Sequence, residues 1–271
     1  MSKKILVSLI AAMALLFVIN RVEVMSGEHD KKNVKVSDSS TKKTTTATNV
    51  TKPVTKTKEN SKETDFLNKV DLSLYELILV NERHAFSDEQ LPEETGIIDS
   101  NYQVHADLVE PYNEMKKAAE EDGINLRVVS TYRSVSYQQQ VYDQSIIDNK
   151  NAGMSDEEAK KETAEYVAEP GKSEHHTGLA IDLVDQPWLD AGKGLIPEFY
   201  DTKAGKWIDE HCADYGFIIR FPKGKESVTK INYEPWHIRF VGVENAKFIM
   251  ANHLTLEEFV ELVEKTQKEK N

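Results

Sequence analysis

Two short segments place histidine and carboxylate side chains beside apolar runs. SEHHTGLAID contains His175 and Asp182, and YEPWHIRFVG contains Glu234 and His237. A hydrolytic zinc site needs three protein ligands, an open position for water, and a nearby carboxylate that accepts the proton of the water. Together the two segments supply two histidines, one aspartate and one glutamate. The combination predicts a His₂Asp zinc site with a glutamate base.

Each segment also has a purely structural interpretation when it is taken alone. Alternation along the first predicted strand places Asp182 opposite its apolar neighbours, which equally describes an aspartate on a solvent-exposed strand face. The second segment equally describes an ordinary strand that Trp236 anchors. Glu234 and His237 are three residues apart, so a bend at Pro235 must bring them to one side.

A third segment, STYRSVSYQQQ, follows a predicted buried strand and contains Arg133. A guanidinium group presents a planar fork of donors that suits a carboxylate. Beside a zinc site, Arg133 would hold a substrate carboxylate or a polarised carbonyl oxygen. The alternative is a surface arginine at a strand–helix turn.

The spacing S-x-H-x-x-G-x-A-x-D, followed by E-x-W-H and preceded by Y-R-S, resembles the VanY-type D-alanyl-D-alanine carboxypeptidases and the related LD-carboxypeptidases of the LdcB/DacB kind. The similarity covers about residues 76–262, and one departure is Thr131 where the family often has glycine. The resemblance implies a single α+β domain of the hedgehog/DD-peptidase fold. It also implies zinc bound by His175, Asp182 and His237, Glu234 and Arg133 as catalytic residues, and substrate contacts from Arg133, Gln138, Ser173 and Trp236.

The activity that this resemblance implies is removal of the C-terminal D-alanine from peptidoglycan stem peptides. Three alternatives stay open: an LD-carboxypeptidase that shortens tetrapeptide stems, a dipeptidase acting on free D-Ala-D-Ala, and a wall-binding module without catalysis. The export signal and tether described below favour a polymeric wall substrate over a free dipeptide.

The elements that must position these residues alternate irregularly between helices and strands, which is typical of an α+β domain. Two capping boxes, S-x-x-E at Ser155 and T-x-x-E at Thr255, mark helix starts. The predicted strands are 126–130, 179–184, 216–221 and 236–241, and the predicted helices are 105–123, 135–149, 155–168, 203–214 and one that begins at Thr255.

The N-terminal part has a different composition. Residues 1–24 contain two lysines followed by a largely apolar run of 15 residues, which predicts a signal peptide or an uncleaved signal anchor and therefore contact with a membrane. Residues 25–65 are rich in Thr, Ser and Lys, and we expect a disordered linker. The folded domain is then assigned to residues 66–271.

Charge and cysteine content narrow the class of protein. The chain carries 34 Lys/Arg and 46 Asp/Glu, and residues 1–64 alone carry 12 and 6 of these. The remainder is strongly acidic, so we expect no nucleic-acid partner, because phosphate contacts need clustered cations. Cys212 is the single cysteine of the sequence, so no intramolecular disulfide stabilises the domain.

Overall fold

The computed structural model describes residues 56–87 and 94–270. The predicted signal segment 1–24 and residues 25–55 of the predicted linker lie outside this range. Within the described residues, no helix is both long enough and apolar enough to cross a membrane.

A four-stranded antiparallel sheet forms the centre of the fold. Its strands lie in the order β3-β4-β6-β5. A separate hairpin pairs β1 with β2 in antiparallel register. The bounds are β1 Thr95–Ile98, β2 Tyr102–His105, β3 Leu126–Ser130, β4 Ala180–Asp185, β5 Phe217–Ile219 and β6 His237–Phe240.

Helices surround the sheet and alternate with its strands along the chain. Short 3₁₀ turns, among them Tyr75–Leu77 and Glu174–Thr177, join several of these elements. The helices are α1 Lys56–Leu67, α2 Val109–Glu121, α3 Val135–Asn151, α4 Asp156–Ala164, α5 Gln186–Asp190, α6 Lys203–His211, α7 Glu226–Thr229, α8 Val243–Ala251 and α9 Leu256–Lys270.

Local sequence signals explain where several helices begin. The Ser155 side chain accepts the amide of Glu158, whose carboxylate accepts the amide of Ser155 in return, so the predicted capping box is confirmed. Thr255 and Glu258 make the same pair of hydrogen bonds ahead of α9. Each box satisfies amide groups that a helix start would otherwise leave without partners.

Two apolar clusters cover the sheet. The first packs α2 and α6 against β3, β4 and β5, and the second joins α1, α8 and α9. Strand β5 contributes to both clusters, because successive side chains of a strand point to opposite faces of the sheet. Phe217 and Ile219 belong to the first cluster and Ile218 belongs to the second. The mixed helix and sheet architecture confirms the predicted α+β class.

Helix α1 covers residues 56–65, for which the composition predicted a disordered linker. The predicted boundary at residues 65–66 therefore lies inside a helix. The Phe66 ring stacks on Phe248 with 4.9 Å between centroids, and Gln267 donates hydrogen bonds to the carbonyls of Leu67 and Val70. These contacts come from α8 and α9, almost two hundred residues away, so local composition did not indicate them.

We predict that Met115→Ala will lower the free energy of unfolding by about 2–5 kcal/mol, because the side chain is fully buried in the first cluster and its loss leaves a cavity. Chemical denaturation monitored by circular dichroism measures the change. Lys117→Ala is the matched control, since Lys117 is exposed on the same helix. It should shift the unfolding free energy by less than about 0.5 kcal/mol, and an equal loss in both variants would contradict the prediction.

Candidate metal centre

Strand pairing brings together two of the predicted ligands. Asp182 on β4 and His237 on β6 are direct partners in the antiparallel register. Directly opposed residues on neighbouring strands have Cβ atoms about 4.5–5.5 Å apart. The His237 Nδ1 atom accordingly lies 3.0 Å from Asp182 Oδ1. The register of β4 against β6 is therefore what assembles this part of the site.

The third predicted ligand, His175, arrives on the 3₁₀ turn Glu174–Thr177, just before β4. The turn ends at Gly178, whose φ of +71° lies in the left-handed region that favours glycine. A Cβ atom at this position would lie 2.9 Å from the backbone nitrogen of His105. The glycine lets the chain pass close to β2 and turn His175 towards Asp182.

The three side chains converge in a buried cluster. Ligand atoms of His175, Asp182 and His237 all lie within 4.8 Å of one another, and His175 Nε2 is 3.2 Å from Asp182 Oδ2. Tetrahedral zinc with bonds of about 2.05 Å would separate its ligand atoms by about 3.3 Å. His175 Nε2 and Asp182 Oδ1 are buried and have no hydrogen-bond partner among the described residues. Donor chemistry, spacing and unsatisfied buried atoms all fit a zinc ion.

Hydrogen bonding decides which His175 nitrogen can serve as a ligand. Its Nδ1 lies 2.7 Å from the carbonyl oxygen of Thr131, the residue that follows β3. A carbonyl can only accept, so Nδ1 carries the proton and donates it. The lone pair on Nε2 then points at Asp182 and is available to a metal.

Burial and charge set the protonation of the cluster. Burial, with the charge of Arg133 acting in the same direction, lowers the pKa of His175 to about 4, so the ring is neutral at neutral pH. Burial alone would raise the pKa of Asp182, but His175 and His237 outweigh it and keep that pKa well below its usual range. A neutral imidazole beside an ionised carboxylate is the state in which both can bind a cation.

His237 behaves differently because carboxylates surround it. Burial would lower its pKa, but Asp182 and Glu174 outweigh burial and raise the pKa of His237 to about 9. Without a cation, the carboxylates thus attract a proton onto this ring. The same negative field favours a divalent cation in place of the proton.

Glu234 lies beside the three candidate ligands. A turn in which the His237 amide donates to the Glu234 carbonyl places the two side chains on one side, as the predicted bend at Pro235 required. Glu234 Oε2 is 3.7 Å from His237 Nδ1. Burial raises the pKa of Glu234 to about 8, and His237 and Arg133 partly oppose this. A carboxyl group with a pKa near neutrality can both accept and return a proton.

Arg133 faces the same cluster from the loop after β3. Its backbone amide donates to the carbonyl of His175 at 3.1 Å, which fixes the loop against the ligand turn. The Nε–H of its guanidinium group is buried and finds no acceptor in the described part of the chain. The side chain lines a cavity of about 620 Å³. The three candidate ligands and Glu234 line the same cavity. A buried donor without a partner, at the wall of a cavity, is suited to an anionic ligand.

The remaining predicted substrate contacts also line this cavity. Gln138 is 1% exposed and donates from Nε2 to the carbonyl of Ala168, while its Oε1 has no partner within residues 56–87 and 94–270. Ser173 caps the ligand turn by accepting the His175 amide at 3.4 Å. Trp236 is buried and belongs to the first apolar cluster. The structure therefore brings every predicted site residue to one cavity.

His176 and Glu174 have functions in the structure that the sequence analysis did not assign. His176 Nδ1 contacts the carbonyl of Arg133 at 2.7 Å, and its Nε2 accepts the Gly171 amide at 3.0 Å, so it stabilises the arginine loop. Glu174 is buried between Arg220 and Arg239. The signal that could have revealed the role of Glu174 was an arginine in each of two largely apolar segments, GFIIR and HIRF.

Known proteins are similar to this chain in sequence and in fold. The VanY model, described as D-alanyl-D-alanine carboxypeptidase, matches residues 101–243. The chain belongs to the VanY family. YodJ of Bacillus subtilis (strain 168), provisionally described as a carboxypeptidase, is 37% identical to this VanY-family protein over 198 residues, which are 70% of this chain and 68% of YodJ.

Two solved structures are similar to this VanY-family protein. A mutant of the vancomycin-resistance D,D-pentapeptidase VanY, in complex with Zn(II), has 31% sequence identity and a TM-score of 0.62, and covers 69% of this chain and 99% of that one. The LdcB LD-carboxypeptidase has 36% identity and a TM-score of 0.57, and covers 68% of this chain and 84% of that one. These neighbours agree with the fold that the resemblance implied.

The two adjacent histidines of this VanY-family protein provide a matched test of the metal site. We predict that His175→Ala will abolish stoichiometric zinc binding, because it removes a candidate ligand whose Nε2 faces Asp182. His176→Ala should keep one zinc per chain, because both His176 nitrogens contact the backbone instead. Elemental analysis of purified protein measures the metal content. Stoichiometric zinc in His175→Ala would remove this residue from the ligand set.

Proposed function

We propose that the protein is a zinc-dependent carboxypeptidase that removes the C-terminal D-alanine from peptidoglycan stem peptides ending in D-Ala-D-Ala. The observation that carries the proposal is the convergence of a His₂Asp cluster, a carboxyl group with a raised pKa and an arginine with an unpaired donor on one cavity. A module that only binds the wall would need none of these proton-transfer groups.

His175, Asp182 and His237 would hold the zinc ion. Bound zinc supplies a Lewis acid that polarises a carbonyl oxygen and lowers the pKa of water to about 7. The register of β4 against β6 positions Asp182 and His237, and the turn at Gly178 positions His175, so the fold determines where the ion would bind. All three residues are buried at the wall of the cavity.

Glu234 is proposed to transfer the proton. Its carboxylate takes a proton from the attacking water and later gives it to the nitrogen of the leaving D-alanine as the amide bond breaks. The short turn that joins Glu234 to His237 holds the carboxylate close to the ligand cluster throughout.

Arg133 is proposed to bind the carboxylate at the C-terminus of the substrate. This contact would select peptides by their free end and orient the scissile bond for attack. Gln138, Ser173 and Trp236 are proposed to form the neighbouring walls of the substrate site, since all three line the same cavity as Arg133.

The second candidate activity is removal of D-alanine from tetrapeptide stems, an LD-carboxypeptidase reaction. The observation that favours it is the 36% identity to LdcB. Both reactions use the same zinc, base and carboxylate contact. They differ in the configuration of the residue before the scissile bond, so the walls of the cavity decide between them.

The proposed location is outside the cytoplasm, at the cell wall where the substrate lies. Residues 1–24 support export, by a cleaved signal peptide or by an anchor in the membrane. Residues 25–55 would then form a tether whose positive charge suits an anionic surface, with the catalytic domain following it.

We predict that Glu234→Gln will retain one zinc per chain but lose turnover by roughly 10²- to 10⁴-fold, because an amide keeps the shape of the side chain and cannot accept the proton. Mass spectrometry of muropeptides before and after digestion measures turnover. Loss of one alanine from pentapeptides identifies the DD reaction, and loss from tetrapeptides identifies the LD reaction.

The control for this variant is Glu261→Gln, a substitution on the exposed side of α9. It should match the unmodified protein in zinc content and in turnover. Full activity in Glu234→Gln would exclude Glu234 as the base. A zinc-loaded, folded protein that changes no muropeptide mass would contradict the proposed function as a whole.

We predict that Arg133→Ala will lower kcat/KM roughly 10- to 100-fold for a peptide with a free C-terminus, which is the expected loss of a charged hydrogen bond. A peptide with a C-terminal amide lacks the carboxylate, so comparing it with the free-acid peptide shows whether Arg133 acts by binding that group. The unmodified enzyme should cleave the amide peptide poorly, and Arg133→Ala should discriminate little between the two peptides. If Arg133→Ala still prefers the free-acid peptide over the amide peptide as strongly as the unmodified enzyme does, another residue binds the carboxylate.

A further inference from the structure

Four charged side chains form a buried cluster beside the candidate metal centre. Glu174 Oε1 accepts hydrogen bonds from Arg220 Nε and from Arg239 Nη1, both at 2.6 Å. The other end of the Arg220 fork binds Glu257 through two bonds, at 2.9 and 2.6 Å. Both arginines are 0% exposed, and Glu174 is 3% exposed.

Such a cluster is poorly explained by stability alone. Moving charges out of water costs several kcal/mol for each ion, and apolar replacements of similar volume often do as well or better. Both arginines nevertheless use one oxygen of Glu174. Its second oxygen, Oε2, is left without a hydrogen-bond partner among the described residues.

That second oxygen faces the metal centre. Glu174 Oε2 lies 3.6 Å from His237 Nε2. His237 Nε2 is likewise buried, and no other group in the described ranges satisfies it. The opposite ring nitrogen, Nδ1, faces Asp182 and Glu234. Two buried, unsatisfied atoms of complementary type thus face each other on the side of His237 that points away from the other ligands.

We propose that Glu174 is a positioning residue that holds His237 in the tautomer required for metal binding. Its Oε2 accepts the proton on Nε2, so the lone pair of Nδ1 is directed at the ion. Arg220 and Arg239 fix the carboxylate by occupying its other oxygen. The inference rests on His237 being a ligand, as the proposed function states.

The two candidate histidine ligands would then be oriented by different groups. Thr131 orients His175 through a neutral carbonyl, whereas an ionised carboxylate orients His237. A charged acceptor makes the ring a more basic ligand than a neutral one does, and loss of such an outer partner typically weakens metal binding 10- to 100-fold. Of the two histidines, His237 is therefore the one whose contribution to zinc affinity depends more on the residue that orients it.

The first test compares Glu174→Gln with Glu257→Gln by competition for zinc with a chromogenic chelator. Each substitution removes one carboxylate from Arg220, so both should reduce thermal stability. Glu174→Gln should also weaken zinc binding roughly 10- to 100-fold in the folded protein. Glu257→Gln leaves Oε2 of Glu174 in place and should bind zinc within about twofold of the unmodified protein. Equal zinc affinity in the two variants would overturn the proposal.

The second test needs no variant and so does not depend on Glu174→Gln folding. Nitrogen-15 NMR of the zinc-loaded, histidine-labelled protein reports which ring nitrogen of His237 carries the proton. We expect the proton on Nε2 and the metal on Nδ1, and the reverse assignment would overturn the proposal. Stoichiometric zinc in His237→Ala would show that His237 is not a ligand. That result would contradict the proposed ligand set, so it can be distinguished from a result that contradicts only the role of Glu174.

Discussion

The register of β4 against β6 is the constraint on which the site depends. Asp182 and His237 can meet because they are direct partners across these strands. A slip of one residue would turn one of the two side chains to the opposite face of the sheet. Every residue of β6 is buried, and β4 is buried over all but its last residue. Apolar packing on both strands therefore specifies the register, and the metal centre inherits its geometry from the core.

The charged groups around this register form a connected layer. Asp182 and Glu234 face Nδ1 of His237, and Glu174 faces Nε2 from between two arginines. Arg239 also donates to the carbonyls of Glu76 and Ile78, which ties the segment after α1 to the sheet. Electrostatic interactions are strong in such a buried layer because little water screens them. The same groups that position the ligands thus connect the two apolar clusters.

Elements with strong local signals were predictable from the sequence. The strand 126–130 coincides with β3, and the helix starts at Ser155 and Thr255 follow from capping boxes of four residues each. The β1–β2 hairpin and helix α1 were not predicted. The hairpin is held by the His105 amide, which donates to the carbonyl of Gly178, and α1 is held by Phe248 and Gln267, so both depend on distant partners. Patterns within a short window contain no information about such contacts.

The sequence by itself determined the set of chemical groups and indicated the family, because His175, Asp182, Glu234 and His237 occur in motifs that resemble those of the VanY-type enzymes. It also made His175, rather than the adjacent His176, the candidate ligand. The tertiary structure decided which nitrogen of each ring faces the centre, that His176 supports the Arg133 loop, and that Glu174 faces His237. These outcomes depend on hydrogen-bond partners from other strands and loops. Those partners are distant in the sequence and become neighbours only in the folded chain.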